Sequence, residues 1–194
     1  FVEKCNFCCA YCYNKALQNE HADNDLIPIA EILDLLEKRK KYIDGVVITG
    51  GEPTLQEGLL EFAKAIKELG LKVKLDTNGY LPEVLEKLLN EKLVDYVAMD
   101  IKAAFAKYDK VCGVKVDFSR IIRSVELLKK SKIDYEFRTT VWQNCFVQNY
   151  FGQDDFLDIF KLIKGAKHYY LQNFYDPELN YKEGFKPISK KEIE

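Results

Sequence analysis

The sequence lacks the long apolar runs and the concentrated positive charge that would assign it to a membrane or to a nucleic acid. Its 194 residues contain no run of about 18 apolar residues, the length needed to span a bilayer. The amino terminus does not show the charged, apolar and small-residue segments of a secretory signal. The net charge is −2 and lysines and glutamates are mixed, so no basic stripe could neutralise a row of phosphates. We therefore expect a cytoplasmic protein with neither membrane nor nucleic acid as partner.

Cysteine usage does not suggest a disulfide framework. Four of the six cysteines fall within eight residues, and no export signal accompanies them, so reduced, metal-binding thiols are the better interpretation. Cys112 and Cys145 stand alone and are predicted to be ordinary free thiols. Of the two histidines, His168 is predicted to lie in the core and His21 in a loop.

Hydrophobic periodicity indicates an α/β fold. Segments with helical spacing begin at Ile29, Leu59, Leu81, Ile121 and Phe156. Short apolar runs between them predict strands over Val46 to Thr49, Lys72 to Leu75, Val94 to Asp100, Tyr135 to Val141 and His168 to Gln172, with Phe1 to Lys4 as a first strand. Six βα repeats of this kind form either a partial barrel or an open doubly wound sheet, and periodicity alone does not separate the two.

Polar residues gather where these strands end. The segments are Thr49-Gly50-Gly51-Glu52, Asp76-Thr77-Asn78-Gly79, Asp100-Ile101-Lys102 and Arg138-Thr139-Thr140. Ligands of parallel α/β sheets bind at the carboxyl ends of strands, so we expect a single site along this rim.

The cysteine run predicts a metal centre. Cys5, Cys9 and Cys12 have Cys-x3-Cys-x2-Cys spacing, whereas clusters that only transfer electrons usually take four cysteines. Three ligands leave one metal position open for substrate or cofactor. The alternative is a zinc knuckle of Cys5, Cys8 or Cys9, and Cys12 with a fourth ligand such as His21. Cys8 is predicted to be a spectator.

The Gly50-Gly51-Glu52-Pro53-Thr54 segment follows the most apolar strand. Paired glycines allow backbone to approach a ligand closely, and Glu52 could hold a positively charged group. The same residues also suit an ordinary turn. Asp76, Asp100, Lys102 and Arg138 could bind a zwitterionic cofactor or pair with each other, and Asn78-Gly79 is also a plain turn signal.

Taken together, these motifs resemble the radical S-adenosylmethionine (radical SAM) superfamily. Its signature is Cys-x3-Cys-x-aromatic-Cys, matched by Cys5, Cys9, Tyr11 and Cys12, followed by the Gly-Gly-Glu-Pro of residues 50–53. Relatives often have Gly, Arg, Pro and His where this chain has Lys4, Cys8, Ala10 and Tyr13. Within the superfamily the chain is similar to activating proteins of anaerobic ribonucleotide reductase. That likeness is carried by Asp76-Thr77-Asn78-Gly79, Met99-Asp100-Ile101-Lys102, Lys107-Tyr108 with Gly113-Val114, and Phe137-Arg138-Thr139-Thr140-Val141.

The resemblance implies a fold, a cofactor set and a site. The fold would be a partial (β/α)6 barrel of parallel strands, and Cys5, Cys9 and Cys12 would hold a [4Fe–4S] cluster. S-adenosylmethionine would be the second cofactor, cleaved to methionine and a 5′-deoxyadenosyl radical. Tyr11 would lie near the adenine, and the remaining cofactor-binding residues would be Gly50, Gly51, Glu52, Pro53, Asp76, Asn78, Asp100, Lys102 and Arg138.

The resemblance also implies partners and a setting. The chain would be an anaerobic, cytoplasmic oxidoreductase that installs a glycyl radical on anaerobic ribonucleotide reductase, with a flavodoxin- or ferredoxin-type electron donor. We expect one radical SAM domain over residues 1–194, from which an amino-terminal segment upstream of Phe1 is missing, with a polar tail over residues 176–194. The alternatives are a small-molecule enzyme such as 7-carboxy-7-deazaguanine synthase, or a zinc-binding module without catalysis.

Overall fold

The computed structural model describes residues 1–18, 26–143, 145–146, 148–175 and 185–189. Its strands are β1 (Gly45–Ile48), β2 (Lys72–Thr77), β3 (Tyr96–Asp100), β4 (Asp134–Val141) and β5 (Tyr169–Asn173). Its α-helices are α1 (Ile29–Arg39), α2 (Leu59–Glu68), α3 (Pro82–Asn90), α4 (Tyr108–Cys112), α5 (Phe118–Lys130) and α6 (Gln153–Leu162). Short 3-10 helices span Lys15–Gln18, Pro53–Leu55 and Phe105–Lys107. Within these described ranges, no helix has the length and apolarity required to cross a bilayer.

Strand order decides between the two architectures that periodicity left open. All five strands are parallel, and they lie in the order β1-β2-β3-β4-β5, so each pairs with its neighbours in sequence. A doubly wound sheet reverses its strand order at a switch point. This sheet has no reversal, which is the progression of a (β/α) barrel left open at its two edges. The predicted partial barrel is confirmed.

The two faces of the sheet differ in chemistry because side chains alternate along each strand. In β2, Val73 and Leu75 are fully buried, whereas Lys74 and Asp76 lie on the opposite, concave face. In β4, buried Phe137 alternates in the same way with partly exposed Arg138. Helices therefore cover an apolar face, and the concave face carries the charges.

Local signals fix where the helices begin and end. The Asp117 side chain caps α5 by accepting the Ser119 N–H at 3.1 Å, and Pro82 occupies the first turn of α3. Gly152 N–H donates to Asp155 at 2.6 Å ahead of α6. The short helix α4, which the periodicity did not predict, ends at Gly113 with φ of 69°.

Two sequence predictions about local structure are corrected. Phe1 to Lys4 is not a strand but a single parallel bridge between Val2 and Gly50. The positive φ of Lys4, 75°, turns the chain out of pairing immediately afterwards. His168 is exposed rather than buried, because β5 is an edge strand and presents most of its residues to solvent. His21 and residues 176–184 and 190–194 of the predicted tail lie outside the described residues.

The burial pattern predicts which leucines hold the fold together. Leu88 in α3 is 0% exposed, whereas Leu35 in α1 is 54% exposed. We expect Leu88→Ala to lower the free energy of unfolding by about 2–5 kcal/mol, through lost burial and the cavity left behind. The same truncation at Leu35 should change it by less than about 0.5 kcal/mol. Urea denaturation of both variants checks this, and equal losses would contradict the assigned packing.

Candidate functional site

The cysteine loop, residues 5–12, forms one wall of a cavity of about 350 Å³ at the carboxyl ends of the strands. Cys5, Cys9 and Cys12 all line this cavity, whereas Cys8 is exposed and does not. The loop is held by main-chain hydrogen bonds, including Cys12 N–H to the Cys9 carbonyl at 3.0 Å. The structure thus brings the three predicted ligands together on one surface and directs the fourth cysteine elsewhere.

The three ligand thiols differ in electrostatic environment. Burial raises the pKa of Cys5 to about 11 and also raises the pKa of Cys12. In contrast, a side-chain hydrogen bond with Cys112 lowers the pKa of Cys9 to about 7. Because only thiolates bind iron, binding at Cys5 and Cys12 must displace protons.

The donor set and the cavity fit a [4Fe–4S] cluster with a second ligand beside it. Three soft sulfur donors share one cavity, and this is a ligand type that iron–sulfur clusters use. Asp76 lines the same cavity, and its buried Oδ1 has no hydrogen-bond partner among the described residues, so a polar group of a ligand could satisfy it. Among the described residues, no three His, Cys, Asp or Glu side chains are gathered as ligands of a single metal ion would be.

Positions 50 and 51 require glycine because another segment of the same chain packs closely against them. A Cβ at Gly50, which has φ of 129°, would lie 2.3 Å from the Val2 nitrogen, and a Cβ at Gly51 would lie 2.2 Å from the Lys4 carbonyl oxygen. Gly51 N–H donates to the Val2 carbonyl at 2.8 Å. The sequence predicted that these glycines allow a ligand to approach the backbone closely. In the structure, the segment that leads into the cysteine loop makes that close approach instead. Both glycines still line the cavity, but Pro53 does not and instead begins a 3-10 turn.

Glu52 is a buried carboxylate that joins two strand ends. It is 1% exposed, and its Oε1 accepts hydrogen bonds from the Thr54 N–H and from the hydroxyls of Thr54 and Thr77. Its Oε2 accepts the Asn78 N–H at 2.7 Å. Burial raises the pKa of Glu52, and these hydrogen bonds oppose the rise. Asn78 in turn donates to the Asn6 side chain at 2.7 Å, which ties the cysteine loop to the end of β2.

The four predicted charged residues form one network on the concave face. Asp100 accepts from Lys102 at 2.9 Å and from Arg138 Nε at 2.9 Å, and Arg138 also lies 3.6 Å from Asp76. Burial alone would raise the pKa of Asp100, but the charges of Lys102 and Arg138 hold it below its usual value. Positive and negative side chains therefore line the same cavity, which suits a ligand that carries both charges.

Tyr11 is one of the residues that line the cavity. It is 7% exposed and stacks on Trp142 with ring centroids 4.9 Å apart. Lys102 Nζ lies 5.8 Å from the centre of the Tyr11 ring, and the buried hydroxyl of Tyr11 has no hydrogen-bond partner in the part of the chain that the structure describes.

Sequence reasoning missed several residues of the site. Trp142 follows β4 directly and is completely buried among Tyr11, Tyr150, Phe151 and Phe185. Gln172 lines the cavity from the end of β5, where the strand-end rule could have found it. Cys112 has no neighbouring cysteine at a ligand-like spacing, so the sequence did not indicate that it lies near the site. It reaches the cysteine loop only because α4 packs against that loop.

Comparison with known proteins identifies a family. The model of the family described as the Radical SAM superfamily matches residues 1–163. A protein of Methanocaldococcus jannaschii, provisionally named a glycyl-radical enzyme activating enzyme, is 37% identical over 193 residues. That match covers 97% of this chain and 76% of the relative.

Two further matches extend this comparison. A protein of Saccharolobus solfataricus, provisionally named GTP 3′,8-cyclase, is 34% identical over 133 residues, which is 67% of this chain and 41% of that protein. Among solved structures, Streptococcus suis SuiB bound to the precursor peptide SuiA has a TM-score of 0.70 at 18% identity. It covers 97% of this chain and 40% of SuiB, and the likeness confirms the fold.

The Glu52 hydrogen bonds predict a stability cost for a neutral replacement. In Glu52→Gln either orientation of the amide places its NH2 group against a backbone N–H, of Asn78 or of Thr54. We expect the free energy of unfolding to fall by about 1–3 kcal/mol, because a buried donor loses its acceptor. Exposed Glu57→Gln is the matched control. Equal stability of the two variants in urea would refute the role assigned to the carboxylate.

The Asp100 ion pairs predict a specific pH dependence. Because the folded pKa of Asp100 is lowered, its ionised form contributes stability above the unfolded pKa, and this stability is lost as pH falls through the folded pKa. The stability difference between wild type and Asp100→Asn should therefore be largest near neutral pH and shrink below about pH 4. The control variant is Asp34→Asn, at an exposed position of α1. Urea unfolding at pH 7 and pH 3 measures both.

Proposed function

This chain belongs to the radical SAM superfamily, and we propose that within it the chain acts as a glycyl-radical enzyme activating enzyme. The observation that carries the proposal is the relative of that provisional name, 37% identical across 97% of this chain. The superfamily implies a [4Fe–4S] cluster and S-adenosylmethionine, and we assign Cys5, Cys9 and Cys12 as the cluster ligands. All three line one cavity, and Cys8 does not.

When bound, the cluster would supply one electron to S-adenosylmethionine, whose cleavage would give methionine and a 5′-deoxyadenosyl radical. The chain's own residues bind and orient. Glu52 Oε2 accepts one hydrogen bond within the described residues, from Asn78, so a lone pair remains for the methionine ammonium group. Lys102 keeps further N–H donors beyond its contact with Asp100, which suit the methionine carboxylate.

The remaining cofactor contacts follow from the same network. Asp76 Oδ1 accepts no hydrogen bond from the described residues and suits a ribose hydroxyl. Arg138 holds Asp76 and Asp100 in place and compensates their charge. The ring of Tyr11, fixed by Trp142, would lie near the adenine. Gly50 and Gly51 line the cavity and let the segment that leads into the cysteine loop pack against them.

We propose that the hydrogen is taken from a glycine of a partner protein, with anaerobic ribonucleotide reductase as the specific partner. The abstraction leaves 5′-deoxyadenosine and a glycyl radical on the partner. The cavity lining includes Tyr13 and Tyr175, which are 53% and 64% exposed and provide apolar surface for an incoming protein loop. A flavodoxin- or ferredoxin-type protein would reduce the cluster. We place this chemistry in the cytoplasm, because all six cysteines are free thiols.

A second candidate function is radical chemistry on a small molecule. The relatives provisionally named GTP 3′,8-cyclase support it, since their similarity covers 67% of this chain. A synthase of the 7-carboxy-7-deazaguanine type belongs to the same class. Such an enzyme would need a substrate pocket within the concave face, beyond the space that the cofactors fill.

The first test asks whether a cluster with an open iron forms. Protein reconstituted anaerobically with iron and sulfide and then reduced should give a [4Fe–4S] electron paramagnetic resonance signal that changes on addition of S-adenosylmethionine. The product 5′-deoxyadenosine should appear by mass spectrometry. Cys9→Ala should abolish both, whereas the matched control Cys8→Ala should retain them. Absence of a cluster, or bound zinc in anaerobically purified protein, would favour a zinc-binding module instead.

The second test separates the two radical functions. Loaded protein is mixed with anaerobic ribonucleotide reductase and, separately, with GTP. A glycyl-radical doublet on the reductase supports the activating function. Consumption of GTP with S-adenosylmethionine turnover, and no doublet, supports the small-molecule function.

A further inference from the structure

The sheet has an open edge at β5. Its pairing with β4 occupies one side of the strand, and no described residue hydrogen-bonds to the backbone on the other side. The opposite edge of the sheet differs, because Val2 bridges Gly50 and so covers the carboxyl end of β1. Within the described part of the chain, β5 is thus the edge that stays open next to the cavity.

The bonds to β4 show which backbone groups of β5 face outward. The Phe137 N–H donates to the His168 carbonyl at 3.0 Å, and the Phe174 N–H donates to the Val141 carbonyl at 2.8 Å. Successive residues of a parallel strand direct their N–H and C=O groups alternately to its two sides, so the even-numbered residues over 168–174 face β4. The odd-numbered residues present both groups to the open side, and these are Tyr169, Leu171 and Asn173.

The side chains of β5 do not protect this edge. Tyr170 pairs in register with Arg138 on the concave face and is 49% exposed, and Leu171 on the other face is 54% exposed. The strand Tyr169–Asn173 contains no charged residue and no proline, although natural edge strands use such residues to prevent pairing with another chain. The edge is therefore suited to accept a further strand.

A strand added to β5 would lead to the cavity. Gln172 and Asn173 at the end of β5 line the cavity. Phe174 and Tyr175, which follow the strand, line it as well. Neighbouring strands lie about 4.8 Å apart, so a segment paired with β5 would run beside these four residues and bring its next residues to the cavity mouth.

On the basis of the proposed function, we propose that the glycine-bearing segment of the partner protein docks as an added strand on the open side of β5. The segment is an extended, uncharged stretch of backbone next to the target glycine. Its main chain hydrogen-bonds to Tyr169, Leu171 and Asn173, and these bonds supply affinity and alignment. Its alternate side chains contact Tyr170 on one face and Leu171 on the other. The pairing thereby holds the glycine at the cavity.

The first experiment leaves the protein unchanged and modifies the ligand. Wild type carrying the oxidised cluster and S-adenosylmethionine is titrated anaerobically, by calorimetry, with a synthetic peptide that spans the target glycine of anaerobic ribonucleotide reductase. Two derivatives carry N-methyl groups on alternate amides, in the two opposite phases. Only one phase faces β5, so one derivative should bind about tenfold or more weakly and the other about as well as the unmodified peptide. Equal binding of all three, or an equal loss in both derivatives, would overturn the inference.

The second experiment changes the edge. Leu171→Pro removes an outward N–H and puts the proline ring in its place, whereas the bonds to β4 do not use that amide. Leu171→Ala keeps the backbone, and Leu35→Ala is the matched control, because Leu35 and Leu171 are both 54% exposed. Iron and sulfide per chain are measured first, so that only fully loaded samples are compared.

Glycyl-radical formation on the intact reductase is then measured as a function of reductase concentration. Leu171→Pro should raise the KM for the reductase about tenfold or more with kcat little changed, because the lost contacts are made before and during the reaction alike. Leu171→Ala should raise the KM by less than Leu171→Pro does, and Leu35→Ala should match wild type.

The outcomes distinguish this inference from the proposed function. A loaded wild type that forms no glycyl radical on the reductase would overturn both. A wild type that forms the radical, with the same KM in Leu171→Pro, would overturn the inference alone. A wild-type dimer that Leu171→Pro dissociates in size-exclusion chromatography would show that a second copy of the chain occupies the edge, which would also overturn it. If Leu171→Pro does not fold, the N-methylated peptides decide.

Discussion

The buried carboxylate of Glu52 is the interaction on which the site depends. It receives donors from its own turn and from the end of β2, and through Asn78 this connection reaches Asn6 in the cysteine loop. Three segments distant in sequence are thereby fixed relative to one another by a single side chain. A buried charge is costly unless hydrogen bonds compensate it, and here each oxygen of the carboxylate has at least one donor. That cost disfavours any arrangement that would leave the carboxylate without donors.

The concave face can carry a charged network because the barrel is open. In a closed barrel the interior is filled by apolar side chains in layers, so charges there would lack solvent and partners. Here the sheet covers only part of a circle, and Asp76, Asp100, Lys102 and Arg138 are partly exposed and paired with one another. The pairing balances the charges in advance of ligand binding. The apolar layer under the helices supplies the stability, which leaves the concave face free to carry function.

The sequence sufficed to predict the α/β class, the five long helices, the five strands and the segments that converge at the rim. These features follow from periodicity and from the rule that places ligands at strand ends, and both are local in sequence. The segment from Phe1 to Lys4 was predicted as a strand but forms only a bridge at Val2. The backbone turns at Lys4, and amino-acid composition does not indicate that turn. Burial of His168 was predicted wrongly because an edge strand has the same composition as a central one. Trp142 and Cys112 escaped prediction because their roles exist only after α4 and the residues following β4 pack against the cysteine loop.

The cysteine loop and the residues that enclose it are far apart in sequence, so they are synthesised at different times. A chain is synthesised from its amino-terminal end, so the three thiols are made before the residues that enclose them. Asn78, Cys112 and Trp142 come from progressively later parts of the chain, and each contacts the loop or its aromatic neighbour. The sheet can grow by adding one βα unit at a time, since neighbouring strands are also neighbours in sequence. The pocket around the thiols therefore closes late, when the fourth strand and the tryptophan that follows it are in place.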